Sequence, residues 1–160
     1  CSSDLHGGGQ EREIRSSTLN DPGIISFAAA VKDAMAQRES RYASISALRD
    51  KLINGVLSAV PNAHVNGGGA GSLPGVANIS FPGAHSESLL LLLDQAGICA
   101  SQGSACSAGV LRPSHVIEAL GVDHAEGTIR FSLGPTTTPA EIDKVISVIA
   151  GIVEKSRAAR

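Results

Sequence analysis

Residues 76–83, with the sequence VANISFPG, decide the fold class because they mark a strand and the turn that ends it. Apolar and polar side chains alternate from Val76 to Phe81, the pattern of a strand with one buried face. Residues 128–133, TIRFSL, alternate in the same way, and residues 64–66, HVN, form a shorter candidate strand. Short strands set between helical segments predict an α+β fold in which helices cover a small sheet.

Helix signals flank these strands on both sides. Thr138-Pro139-Ala140-Glu141 supplies an N-cap, a proline in the first turn and the glutamate of a capping box for the last helix. Asp21-Pro22 opens an earlier helix, with Asp21 as its N-cap. Apolar residues then recur at helical spacing as far as Val60, and the polar residues 37–41 either continue one long helix or break it.

The composition narrows the classes of protein to which the chain can belong. Its 160 residues are 42% apolar and 18% charged, which excludes a disordered chain or a coiled coil and fits one domain, alone or with a fragment of another. A net charge of −2 and 2% aromatic residues argue against a nucleic-acid surface. No apolar run is long enough to cross a membrane, and no secretory signal is evident. Because the chain begins at Cys1 rather than Met, we expect a fragment of a longer protein.

The three cysteines, Cys1, Cys99 and Cys106, are odd in number and show no CxxC spacing, which fits neither a disulfide framework nor a zinc site. Free thiols are typical of a reducing compartment, so a cytoplasmic location is expected. Cys106 lies in SACSAG, a loop of small residues that leaves a thiol accessible, as a nucleophile requires. The alternative for Cys106 is a buried structural cysteine. Cys99, between Ile98 and Ala100, is predicted to lie in the core on a short buried strand.

Two further segments carry candidate binding residues. Gly7-Gly8-Gly9 supplies glycine backbone, and the run that follows supplies cations and hydroxyls of the kind that bind anions, although the sequence is neither GxGxxG nor a P-loop. That run consists of Arg12, Arg15, Ser16, Ser17 and Thr18. The alternative there is a solvated surface loop. Arg130 suits a bidentate grip on a carboxylate, and the alternative is an ordinary solvent-facing strand arginine. The five histidines show no metal-ligand spacing, so no metal site is expected.

Several motifs, taken in order, resemble those of one family. They are HGGGQER and RSST within residues 6–18, LPGVANISFPG at 73–83, SQGSACSAG at 101–109, RPSHVIEALG at 112–121 and TIRFSLG at 128–134. In order and spacing they are similar to the C-terminal part of a cysteine desulfurase, a pyridoxal-phosphate (PLP) enzyme of the class-V aminotransferase-like fold type I. The loop around Cys106 resembles the branch that serves iron–sulfur assembly and tRNA thiolation.

The resemblance implies roles for three residues. Cys106 matches the nucleophile that takes sulfur from L-cysteine and becomes a persulfide, leaving L-alanine. Thr18 matches the threonine that contacts the PLP phosphate across a homodimer interface, and Arg130 matches the arginine that holds the substrate carboxylate. No metal ligand is implied, and the Cys106 persulfide would at most touch a nascent iron–sulfur cluster that receives its sulfur.

The resemblance also divides the chain. Residues 1–20 correspond to the end of the large cofactor domain, 21–38 to a long bridging helix, and 39–160 to the small C-terminal domain with the catalytic-cysteine loop at 101–110. The family's Schiff-base lysine lies in a His-Lys motif upstream of HGGG, and this chain has no such motif. The fragment alone is therefore expected to be inactive and not to hold PLP covalently. Ser17 stands where the family has the glycine of RSGT.

The function implied by the resemblance is that of a cysteine desulfurase. It would act as a homodimer on L-cysteine with PLP, and would pass sulfur to acceptor or scaffold proteins for iron–sulfur clusters or thio-modification. No membrane or direct nucleic-acid binding is expected. Two alternatives stay open: a small domain without catalysis that docks sulfur acceptors, and a PLP aminotransferase relative in which Cys106 has no role.

Overall fold

The chain divides into two compact units, Cys1–Arg38 and Glu39–Arg160. The computed structural model describes these units over residues 6–69, 71–103, 114–122 and 127–159. In that part of the chain, no helix is long and apolar enough to cross a membrane.

Helix α1 of the first unit runs over Asp21–Ala36, with proline in its first turn as the sequence predicted. Its N-cap is Asn20, so the expectation that Asp21 caps the helix is wrong. The Asn20 side-chain oxygen accepts a hydrogen bond from Gly23 N at 3.1 Å, which satisfies one of the otherwise unpaired N–H groups of the first turn. Asp21 instead adds an acidic side chain to that turn, where the helix dipole favours it.

The polar stretch at residues 37–41 interrupts the helical run. Helix α1 ends before Gln37, and helix α2 occupies Arg38–Ala59. The Gln37 N–H donates back to Asp33 O, which closes the last turn of α1. The sequence left a continuous helix and a break equally open, and the structure has the break.

A three-stranded antiparallel sheet forms the centre of the second unit. Its order is β1-β2-β3, with β1 at His64–Asn66, β2 at Val76–Ser80 and β3 at Thr128–Ser132. All three are strands that the sequence predicted. The register sets Asn66, Asn78 and Arg130 side by side across the sheet. Because successive side chains alternate between faces, these three share the face opposite the buried Ile79.

One hydrophobic cluster packs the other face of the sheet against helices α2, α3 and α5, where α3 is Ser86–Gln95 and α5 is Pro139–Ala158. Ile79, Phe81 and Ile129 from the sheet region are fully buried. Burial of a side chain of this size contributes about 1.5–3 kcal/mol relative to exposure. The architecture is therefore a small sheet covered by helices, as the α+β prediction stated. Helix α4, His115–Ala119, is a single short turn.

Helix α5 begins with the capping box that the sequence predicted. Thr138 Oγ1 accepts from Glu141 N at 3.3 Å, and the Glu141 carboxylate accepts from Thr138 N at 2.7 Å. The two residues thus satisfy each other's unpaired N–H groups. These hydrogen bonds hold the pKa of Glu141 below its usual range, chiefly through the backbone N–H of Thr138 and also through its hydroxyl.

Residues outside the sheet bind the outer edge of β3 at two alternate positions. The Ser86 hydroxyl accepts from Thr128 N at 3.0 Å and donates to Thr128 O at 3.1 Å. Two residues along, Arg130 N donates to Ser101 O at 2.6 Å, and Ser101 N donates to Arg130 O at 3.0 Å. The first described residue of the 101–110 loop is therefore fixed to the strand that carries Arg130.

The expected buried strand at Ile98-Cys99-Ala100 is wrong. The segment follows the left-handed Gly97 (φ 69°) and lies outside the ladder, which it joins only through the single bridge at Ser101. Ile98 and Ala100 are half-buried against the core, and Cys99 between them is exposed. An extended segment with its two flanking residues turned inward turns the middle one outward.

Candidate functional site

A tight turn at residues 15–18 presents Thr18, the first of the three residues assigned a role by the sequence. One guanidinium nitrogen of Arg15, Nη1, donates to the carbonyls of Ser16, Ser17 and Thr18 at 2.6, 3.1 and 2.9 Å. The side chain of Thr18 is exposed. The turn therefore gathers three consecutive carbonyl oxygens around Arg15 and leaves the Thr18 hydroxyl accessible.

Ser17 holds this turn in a conformation that favours glycine. Its φ is 75°, in the left-handed region, which costs a residue with a Cβ about 1–2 kcal/mol. Ser17 N donates to Gly8 O at 3.2 Å, and a Cβ added to Gly7 would lie 2.8 Å from both Cα and Cβ of Ser17. The glycine-rich segment is thus needed here for close backbone approach to the turn, a use that the sequence did not reveal.

Arg130, the second assigned residue, lies in β3 with its side chain exposed, between the buried Ile129 and Phe131. Alternation therefore directs it away from the core. Among the residues that the structure describes, no carboxylate forms an ion pair with it. A guanidinium is a planar fork of donors, which binds a carboxylate with two parallel hydrogen bonds.

A row of hydrogen-bonded polar side chains crosses the sheet beside Arg130. Asn66 Nδ2 donates to Asn78 Oδ1 and to Ser80 Oγ, both at 2.7 Å, and Ser80 Oγ lies 3.1 Å from Thr128 Oγ1. Asn78 is also the direct cross-strand partner of Arg130. Sequence reasoning missed this row, although the polar positions of the two alternating strands were the signal that could have found it.

Cys106, the third assigned residue, lies outside the described residues, as does most of the 101–110 loop. The described start of that loop is ordered by Ser101, whose hydroxyl donates to Gly103 O at 2.9 Å and accepts from Gly103 N at 3.3 Å. Thr18 belongs to the first unit and Arg130 to the second.

A cavity of about 470 Å³ opens between α2, β1 and the start of β2, with Arg49, Asn66, Ser72 and Asn78 among its lining residues. Arg49 is already engaged, because its guanidinium donates to Asp50, to the Leu73 carbonyl and to Ser46. That arginine ties α2 to the segment before β2. The arginine in the wall of this cavity therefore has a structural role, since its guanidinium already has hydrogen-bond partners within the chain.

The described residues fit one end of PLP better than the other. At the phosphate end, the turn at 15–18 offers an accessible hydroxyl and has its carbonyl oxygens drawn toward Arg15, which suits an anion. At the aldehyde end, the four lysines of the sequence all lie within helices, namely Lys32, Lys51, Lys144 and Lys155. The described residues also contain no group of three or more His, Cys, Asp or Glu side chains placed to hold a metal ion.

The chain matches one protein family and is similar to several proteins with related names. The aminotransferase class-V family matches residues 4–145. The cysteine desulfurase NifS of Azotobacter vinelandii is 45% identical over 155 residues, which make up 96% of this chain and 39% of that protein. The cysteine desulfurase IscS of Methanosarcina thermophila is 44% identical over 155 residues, 96% of this chain and 38% of its own length. The X-ray structure of a NifS-like protein from Rickettsia africae ESF-5 has a TM-score of 0.79 at 29% identity, covering 94% of this chain and 39% of that one.

The chain therefore spans about two fifths of the length of these relatives. The family match nevertheless extends over most of its residues. The chain belongs to the class-V aminotransferase family, and its relatives named here are cysteine desulfurases and a NifS-like protein.

Proposed function

We propose that the whole protein is a PLP-dependent cysteine desulfurase, which converts L-cysteine to L-alanine and a persulfide on Cys106. The observation that carries this proposal is the backbone bridge between Ser101 and Arg130, at 2.6 and 3.0 Å. Cys106 follows Ser101 by five residues, and five residues span at most about 17 Å. A substrate carboxylate held by Arg130 would therefore lie within reach of the Cys106 thiol.

Arg130 would bind and orient the substrate. Its exposed guanidinium lies on a strand with buried neighbours on both sides, so the strand backbone fixes its position. Two parallel hydrogen bonds to the carboxylate would set the direction of the substrate side chain. L-Cysteine would then present its sulfur toward the loop that carries Cys106.

Cys106 would act as the nucleophile. Its thiolate attacks the substrate sulfur, a sulfur–sulfur bond forms, and the bond between that sulfur and the substrate Cβ breaks. The electron pair of the broken bond stays with the amino-acid carbon, which takes up a proton, and L-alanine leaves. When bound, PLP would supply an electron sink for this chemistry. The sulfur held on Cys106 would then pass to an acceptor.

The cofactor contact proposed for this chain is the one between Thr18 and the PLP phosphate, made across a homodimer interface. In this proposal residues 39–160 are the small C-terminal domain of a fold type I enzyme, residues 21–38 the bridge, and residues 1–20 the end of the cofactor domain. The lysine for the aldehyde end would lie in another part of the whole protein, the part that corresponds to the region of the relatives that this chain does not match. A cytoplasmic location and sulfur-acceptor or scaffold partners belong to the same proposal.

The test uses full-length protein with Cys106→Ser, Arg130→Ala and the parent. The parent should release alanine and, with a thiol reductant, an equal amount of sulfide from L-cysteine. Cys106→Ser should release no sulfide yet bind PLP as the parent does, because the nucleophile and the cofactor contact are separate residues. Sulfide release by Cys106→Ser at the parental rate would overturn the proposal.

The same assay separates the two other functions. An aminotransferase would form a keto acid from the amino acid and would not depend on Cys106. A small domain without catalysis would give neither alanine nor sulfide in the full-length protein, and would bind acceptors whether or not PLP is present.

A further inference from the structure

We propose that Arg15 is a positioning residue, which holds the 15–18 turn in the form that receives the phosphate of PLP. This inference rests on the proposed function, because it needs the contact between Thr18 and the phosphate. The sequence suggested only that Arg15 is one of several cations near an anion. Its observed contacts are with the backbone of the turn itself.

The evidence begins with the number and direction of those contacts. Nη1 alone reaches the carbonyl oxygens of Ser16, Ser17 and Thr18, at 2.6, 3.1 and 2.9 Å. Three consecutive carbonyls are thus drawn toward one cation, while the side chain of Thr18 stays exposed. Carbonyl oxygens that faced an anion would repel it, so their contact with Arg15 favours an approach of the phosphate to the Thr18 hydroxyl.

The turn also needs an external hold. Ser17 has a φ of 75°, which is unfavourable for a residue with a Cβ, and Gly7 approaches its backbone too closely for any side chain at position 7. A strained conformation persists only where the surroundings determine it. The hydrogen bond from Ser17 N to Gly8 O fixes one side of the turn, and Arg15 fixes the other.

A positioning role differs in a testable way from a direct grip on the phosphate. Because one nitrogen makes all three contacts, a lysine ammonium, with three donors on one nitrogen, should replace much of the function of Arg15. An arginine that binds phosphate through a fork of two nitrogens is not replaced by lysine in this way. Rescue by Arg15→Lys therefore favours the positioning role.

The experiment measures the dissociation constants of PLP and of pyridoxal, which lacks the phosphate, in the full-length protein. Arg15→Met should weaken PLP binding about tenfold, the value of a charge-assisted contact. Pyridoxal binding should be unchanged in the same variant, and Arg15→Lys should bind PLP nearly as the parent does. Arg38→Met is the control, because it removes the same charge from an exposed position on α2, outside the glycine-rich segment and the 15–18 turn.

Thr18→Val separates the inference from the proposed function. If Thr18→Val leaves PLP affinity unchanged, the proposed contact between Thr18 and the phosphate is wrong. The positioning role of Arg15 is then overturned together with that contact. If Thr18→Val weakens PLP binding and Arg15→Met does not, only the role of Arg15 is overturned. Equal losses for PLP and pyridoxal in Arg15→Met would also overturn it, since they indicate general damage. Should Arg15→Met fail to fold, Arg15→Gln, whose shorter stem cannot reach all three carbonyls, gives the same comparison.

Discussion

Ser101 and Arg130 are joined backbone to backbone by two hydrogen bonds of 2.6 and 3.0 Å. The pair connects the start of the loop that contains Cys106 to the strand residue proposed to bind the substrate carboxylate. It also explains why Arg130 can be exposed and still well positioned, since its backbone N–H and C=O are both bonded to Ser101.

Replacement of Arg130 should impair substrate binding more than PLP binding. In the full-length protein, Arg130→Ala should lower kcat/KM for L-cysteine by about 100-fold, because a charged hydrogen-bonding group is lost from the substrate site. Arg130→Lys should recover part of this loss, since it keeps the charge without the fork. Arg38→Ala, which removes an exposed arginine from α2, is the control and should leave kcat/KM unchanged. An Arg130→Ala enzyme with parental kcat/KM would contradict the assignment.

Cys99 should be accessible to alkylation but dispensable for sulfur release. The Cys99 side chain is exposed, so burial does not protect its thiol. Native protein should therefore react with iodoacetamide at Cys99 without unfolding. Peptide mass mapping after short exposure to the reagent measures this. Cys99→Ser should release sulfide at the parental rate, whereas Cys106→Ser should not. Complete protection of Cys99 in the native protein would show that the observed exposure is wrong.

Ser17→Gly should stabilise the turn at residues 15–18, because glycine adopts a φ of 75° without steric cost. The gain in free energy of unfolding should be about 0.5–1 kcal/mol, since the greater freedom of glycine in the unfolded chain offsets part of the relief. Gly7→Ala should act in the opposite direction, because its Cβ would lie 2.8 Å from the Cα of Ser17. Denaturant titration of the two variants measures both effects. Equal stability of the two would argue against the close approach.

The capping box of α5 should make stability depend on pH in a specific direction. Hydrogen bonds from Thr138 lower the pKa of Glu141 in the folded state. The stabilisation is therefore fully present above the ordinary pKa of an unfolded glutamate, and is lost as the pH falls through the lower folded pKa. Thr138→Ala should lower Tm by about 3 °C at pH 7 and by less at acidic pH, where the carboxyl is protonated in both states.

Thermal melts of the parent and Thr138→Ala between pH 7 and pH 2.5 measure this difference. Glu141→Gln is the second variant, since it keeps the size of the side chain and removes its charge. A Tm difference between Thr138→Ala and the parent that grows as the pH falls would contradict the expected sign.

The start of α5 and the positions of β2 and β3 could be predicted from the sequence, because each depends on residues close together in the chain. The Thr138 cap is complete within four residues, so the start of α5 follows from the sequence alone. The alternation in β2 and β3 predicts both strands, because one buried face imposes a period of two. In contrast, the three apolar residues from Ile98 to Ala100 fit a buried strand or an extended edge segment equally well.

The parts of the candidate site that the sequence did not predict depend on backbone geometry, which residue type alone does not determine. The register that places Asn66 against Asn78 joins residues twelve positions apart, and no local pattern sets it. The role of Arg15 depends on which way three carbonyls face, and the conformation of Ser17 depends on its contact with Gly7. Residue type identified the candidates, but backbone geometry determined which group each one touches.

The closed edge of β3 has a consequence for self-association. A strand with free N–H and C=O groups along one side can pair with a strand of another molecule and start an aggregate. At Thr128 and Arg130 those groups are already bonded to the Ser86 hydroxyl and to Ser101, through four hydrogen bonds. An incoming strand would first have to displace all four, so two serines protect this edge from intermolecular sheet growth.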